Sequence, residues 1–108
     1  MIVTEIAAGV CGFHTTVRAT SDDSQNVSLD VSSTCEKITA LAKGLGVIDA
    51  YQEIGDGFDG VIYRAALQHL KGCCAGCVVP SGLFKTVQVA GGVALPAAAA
   101  IAIKRQDE

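Results

Sequence analysis

The sequence has no tryptophan, and aromatic residues make up only 5% of it. A core without large rings must be filled by Ala, Val, Ile and Leu, so its elements have to pack closely. Runs of basic charge are also missing. Lys104-Arg105 is the longest, and Lys+Arg 8 against Asp+Glu 11 leaves a net charge of −3. Nucleic-acid binding depends on a basic stripe that displaces counterions, so no nucleic-acid partner is expected. The acidic pairs Asp22-Asp23 and Asp107-Glu108 read as solvated surface.

Long hydrophobic runs are absent too. Residues 91–103 form the longest apolar stretch, and Pro96 breaks it. A spanning helix takes about 20 apolar residues, so no membrane partner is expected. Met1-Ile2-Val3-Thr4-Glu5 offers no basic region ahead of an apolar one, as a signal peptide would. A cytoplasmic location is the expectation. No nucleophile elbow, P-loop or dinucleotide fingerprint occurs. Gly91-Gly92 reads as a helix stop, because no strand–glycine–helix order surrounds it.

Cysteine is what the chain has in excess: five in 108 residues. An odd number argues against a complete disulfide framework, and cytoplasmic thiols stay reduced. Both facts point to metal binding or thiol chemistry.

The length fits a single domain over residues 1–108. Residues 2–8 are rich in β-branched types and read as a strand. Gly9-Val10-Cys11-Gly12 reads as a turn. Phe13, Thr15, Val17 and Ala19 then alternate with polar residues, as do Val27, Leu29 and Val31. That is the period of half-buried strands, and the polar turn at residues 21–26 joins them into an antiparallel meander. The period then changes. Ser33-Thr34-Cys35-Glu36 fits a capping box, with Ile38, Leu41 and Leu45 at helical spacing behind it. Residues 47–54 read as a short helical turn. Phe58, Val61, Ile62, Ala65, Ala66 and Leu70 form a second helical stripe, with Asp56 and Asp59 as turn and N-cap. Pro80 suits the first turn of a third helix, whose buried face holds Leu83, Phe84 and Val87. Ile101 and Ile103 alternate with Ala100, Ala102 and Lys104, which reads as a fourth strand over residues 97–103. The expected fold is therefore α+β and two-layer: a mainly antiparallel sheet of about four strands with three helices on one face.

Cys74-Ala75-Gly76-Cys77 is a CxxC, and a tight turn can aim both sulfurs at one ion. Cys73 adjoins Cys74, so the paired ligands are Cys74 with Cys77 or Cys73 with Cys77. Cys35 falls at the start of the first helix and Cys77 just ahead of the third. Helix N-termini favour the thiolate, the form that ligates metal. Cys11, in the turn after the first strand, lies at the same sheet edge as the end of the third strand, which leads to Cys35. Cys11, Cys35, Cys74 and Cys77 thus make four candidate ligands from three loops. His69 or Cys73 could substitute, and His14 follows the Cys11 turn. Zinc and an iron–sulfur cluster both accept four thiolates. The spacing matches neither a zinc ribbon nor a ferredoxin run, so both stay open. Ser81 could cap the third helix, and Lys85 could offset thiolate charge.

Two other readings stand beside this one. Cys74 and Cys77 could serve thiol–disulfide exchange, although the strand-first βαβ start of a thioredoxin-like domain is missing. Alternatively, the cysteines are small core hydrophobes in an interaction module. An exposed sheet edge or the apolar third helix would then mediate a homodimer or hold a protein partner.

Ala8-Gly9-Val10-Cys11-Gly12-Phe13, the Ser-Thr-Cys35 helix start, Cys77-Val78-Val79-Pro80-Ser81-Gly82 with Lys85, and Ala94-Leu95-Pro96 resemble a family of small uncharacterised proteins from anaerobic bacteria and archaea. The resemblance covers nearly the whole chain and implies no known activity. It implies that Cys11, Cys35 and Cys77 are motif positions, and an anaerobic source would favour an iron–sulfur cluster.

Overall fold

The alternating stretches become strands. In the computed structural model, which describes residues 1–106, β1 (Ile2–Ala7), β2 (His14–Thr20) and β3 (Asn26–Ser33) form an antiparallel meander. The expectation for Asp107-Glu108 lies outside the described residues. On β2, Thr15, Val17 and Ala19 are buried while His14, Arg18 and Thr20 are exposed, as a period of two demands. Ile6, Thr15 and Ser33 align in one row across the three strands. The Thr15 and Ser33 hydroxyls are 2.8 Å apart.

The fourth strand is not at residues 97–103. It is β4 (Val47–Asp49), paired antiparallel with β3 so that Ile48 faces Val27. Gly46, at φ 61°, turns the chain back for this pairing. Ile48 is 1% exposed, whereas residues 97–103 are exposed throughout and adopt no regular secondary structure. The three-residue run won because it reaches a partner strand and buries a side chain.

Four α-helices occur among the described residues, one more than expected. They are α1 (Glu36–Lys43), α2 (Ala50–Asp56), α3 (Val61–His69) and α4 (Val79–Ala90). Two 3₁₀ turns, Gly57–Asp59 and Gly72–Gly76, precede α3 and α4. The additional helix is α2. Asp49 caps it, accepting from the backbone N–H groups of Tyr51 and Gln52. The capping box on Ser33 does not form. Ser33 is still in β3, and Cys35 takes the N-cap place of α1 without a side-chain cap bond.

Helices α1 and α4 pack on the sheet, α4 over β1 and β2 and α1 beside β3, and α3 packs on both of them. Ile38, Leu41, Ile62, Leu83 and Val87 meet the inner sheet residues in one core. The fold is thus the expected two-layer α+β class. Residues 72–90 reach a mean hydropathy of 1.3 and are long and apolar enough to cross a membrane by length and composition alone. In the fold they are a 3₁₀ turn and a separate helix joined at Cys77, and Val79, Leu83 and Val87 of α4 are buried in the core.

The start of α3 is held from a distance. Glu53 on α2 is 2% exposed. Its two carboxylate oxygens accept the backbone N–H groups of Val61 and Ile62, each at 2.9 Å. The expected cap, Asp59, makes no such bond, and Gly60 occupies the N-cap. A Cβ at residue 60 would lie 2.6 Å from Glu53 Oε2, so glycine is what lets the carboxylate approach. Phe58 stands outside the stripe of α3, 82% exposed, and meets Tyr63 edge to face.

At the far end of the sheet, Asp23 closes the β2–β3 turn. It accepts from the backbone N–H groups of Gln25 and Asn26, and from the Asn26 side chain. These bonds, the Asn26 backbone N–H first, hold its carboxyl well below the usual range. Asp49 is held low as well, first by the Gln52 backbone N–H and then by the Gln25 side chain.

Glu53→Ala leaves one buried and one part-buried N–H donor unpaired and should cost about 1–3 kcal/mol in urea unfolding; a loss under about 0.5 kcal/mol would contradict the capping role. Asp23 and Asp49 are more acidic folded than unfolded, so their stabilisation is complete above the unfolded value near 4 and is lost as pH falls through the folded values. The urea midpoint should therefore drop below about pH 4, less steeply in Asp23→Ala. Equal slopes in the two proteins would remove the assigned cause.

Candidate cysteine site

The row through Ile6, Thr15 and Ser33 marks the end of the sheet where the cysteine-bearing segments gather. Beyond Ile6 the chain enters the β1–β2 turn, closed by Ala8 N–H to Phe13 O at 3.0 Å and Gly12 N–H to Gly9 O at 2.9 Å. Gly9 and Gly12, at φ 87° and 74°, supply the positive φ that such a turn needs. Cys11 lies between them, exposed, with its sulfur 3.9 Å from Ala8 O.

Beyond Ser33, β3 runs directly into α1. The Cys35 N–H donates to Ser33 Oγ at 3.1 Å. The preceding residue is fastened to β2: Thr34 N–H donates to His14 O, and His14 N–H donates to Thr34 Oγ1. Cys35 is half-buried against the core. The helix start bearing Cys35 and the turn bearing Cys11 thus flank the same end of β2.

The first turn of α4 comes down on Ile6. A Cβ at Gly82 would collide with Ile6 Cδ1, so the absent side chain lets helix and strand approach. Ahead of this turn, Cys73 and Cys74 lie in the 3₁₀ segment, and Cys77 ends it with its N–H on Cys74 O at 3.1 Å. The CxxC is therefore a tight turn, as its spacing implied. Cys74 and Cys77 are half-buried against the core, while Cys73 is exposed. Pro80 is in the first turn of α4, as expected. Ser81 does not cap the helix; its hydroxyl is 3.3 Å from that of Tyr63.

One cation joins two of these segments. Lys37, in the first turn of α1, donates from Nζ to Cys74 Sγ at 3.2 Å. Its ammonium is held above the ordinary lysine range, first by this hydrogen bond and then by attraction to the Cys74 sulfur, with smaller contributions from Cys35 and Cys73. Lys85, the residue expected to offset thiolate charge, is exposed on α4. The one sequence signal for Lys37 was its place two residues after Cys35. Its partner lies 37 positions away, a separation that only the packed fold closes.

The five thiols are free. Among the described residues no three His, Cys, Asp or Glu side chains stand close enough to hold an ion as they are set. Cys74 touches Lys37, Cys77 follows one turn further on, and Cys11 stands on its own turn. His14 is exposed at the start of β2, and His69 is half-exposed at the end of α3.

A family model described as a family of unknown function (DUF6951) matches residues 2–103. No curated protein and no solved structure matches the chain.

Timed alkylation with peptide mapping should label the exposed Cys11 and Cys73 ahead of the half-buried Cys35 and Cys77. Equal rates at these four positions would contradict the half-buried placement.

Proposed function

The chain belongs to this family of unknown function, and with no activity to inherit we propose that it is a small accessory protein binding zinc or an iron–sulfur cluster through Cys11, Cys35, Cys74 and Cys77. One observation carries the reading. The Cys11 turn, the Cys35 helix start and the first turn of α4 meet at the row of Ile6, Thr15 and Ser33. Segments that bear cysteines far apart in the chain thereby come to one end of the sheet, which supports the reading. Four thiolates suit a tetrahedral zinc ion or a cluster. They would leave net negative charge, which Lys37 beside Cys74 partly offsets. Cys73 or His69 remains a substitute for the fourth ligand. An anaerobic origin, which the family resemblance implies, weighs towards the cluster. A cytoplasmic setting would keep the thiols reduced.

A second reading is thiol–disulfide exchange in which Cys74 attacks and Cys77 resolves. The distance of 3.2 Å from Lys37 Nζ to Cys74 Sγ favours it, since a cation beside the sulfur is a usual setting for a nucleophilic thiol.

Anaerobic purification followed by an absorption spectrum and metal and sulfide analysis separates the two. The expected result is near-stoichiometric zinc, or iron with sulfide, lost in Cys35→Ser and Cys77→Ser but retained in Cys73→Ser. A metal-free protein with a reversible Cys74–Cys77 disulfide would replace the first reading by the second. A metal-free protein without that disulfide would reject both.

A further inference from the structure

Besides the short outer edge of the three-residue β4, two β-prone parts have no partner strand among the described residues. One is the outer edge of β1, which is the terminal strand of the sheet and pairs with β2 alone. An unpaired edge presents a row of N–H and C=O groups that template a further strand. The other is the arm formed by residues 95–106, exposed along its whole length and without regular secondary structure. Ile101 and Ile103 on it are 74% and 91% exposed, and they alternate with Ala100, Ala102 and Lys104. This is the strand signal read in residues 97–103, which the fold of one copy leaves unused. The molecule measures 52 Å along its longest axis against 27 and 24 Å across. Its longest strand, eight residues, accounts for about 27 Å of that, so the arm projects.

The arm leaves the body at the end of the sheet where β1 begins, on the side of β4. Gly91, at the end of α4, packs against Ala50 and the backbone of Ser24 in the β2–β3 turn. Ile2 pairs with Ala19 at that same end of the sheet. We propose that two copies exchange arms, residues 97–103 of each adding as an edge strand along β1 of the other. Small alanines on alternate positions allow the close backbone approach of strand addition. The basic pair Lys104-Arg105 at the end of the arm complements Glu5, exposed on β1. Reciprocal exchange closes the assembly at two copies. The shallow apolar groove of Phe58, Tyr63, Leu67 and Leu70 offers side chains only, without an open hydrogen-bonding edge, so β1 is the better match for an extended arm. The exchange does not depend on the cysteines being filled.

Sedimentation velocity on the full chain, with amide hydrogen exchange, tests it. The native chain should be a dimer, and Ile101→Lys/Ile103→Lys should weaken self-association by at least about 100-fold, since two buried isoleucines are lost. Both positions are exposed within one copy, so the variant should keep a cooperative thermal melt and lose only the strand signal of the arm in circular dichroism. Amides on β1 should be protected in the native dimer and exchange faster in the variant. A native chain that is monomeric at all concentrations overturns the proposal. So does a variant that still dimerises, or protection that falls on residues 58–70 instead of β1.

Discussion

The register of the three-stranded meander is the constraint on which the rest depends. Ile6, Thr15 and Ser33 occupy one row, and everything at the cysteine end is measured from it. A slip of one residue would turn Thr15, Val17 and Ala19 outward and expose the core face. It would also move the Cys11 turn relative to the Cys35 helix start. Packing and site geometry are therefore set by the same pairing. Thr34 reinforces it through its two bonds to His14, and glycine at residue 82 lets α4 rest on Ile6.

The helical layer obeys a similar economy. Few large side chains are available, so close approach replaces bulk. Glycine at residue 60 admits the Glu53 carboxylate to the start of α3, and that carboxylate satisfies the N–H groups of Val61 and Ile62, the second of them buried. Lys37 then ties α1 to the 3₁₀ segment through Cys74. The helices are positioned by a few polar contacts as much as by their apolar stripes.

Local pattern in the sequence read well wherever one face of an element is wet. The alternation at Thr15, Val17 and Ala19 and the stripe at Ile38 and Leu41 led directly to β2 and α1. The reading failed where tertiary partners decide. Ile101 and Ile103 carry a stronger strand signal than Val47–Asp49, yet only the latter reaches β3. Asp59 looked like the cap of α3, but Glu53 does that work from another helix. Ser33 looked like an N-cap, but pairing with Thr15 keeps it in the strand. For the candidate site, the neighbourhood of Cys11 and Cys35 was legible from strand order, and the CxxC turn from spacing. The contact between Lys37 and Cys74 was not, because no local rule links residues so far apart in sequence. Among the described residues no three ligating side chains are grouped, so the row that gathers their segments, rather than the sulfurs themselves, carries the proposed centre.

Cobalt(II) titration of the reduced chain under anaerobic conditions addresses that centre most directly, because thiolate coordination gives intense sulfur-to-metal charge-transfer absorption. One tight equivalent is expected, with tetrahedral thiolate bands that weaken when any of Cys11, Cys35 or Cys77 becomes serine. Absence of those bands, or bands unchanged by all three substitutions, would contradict it.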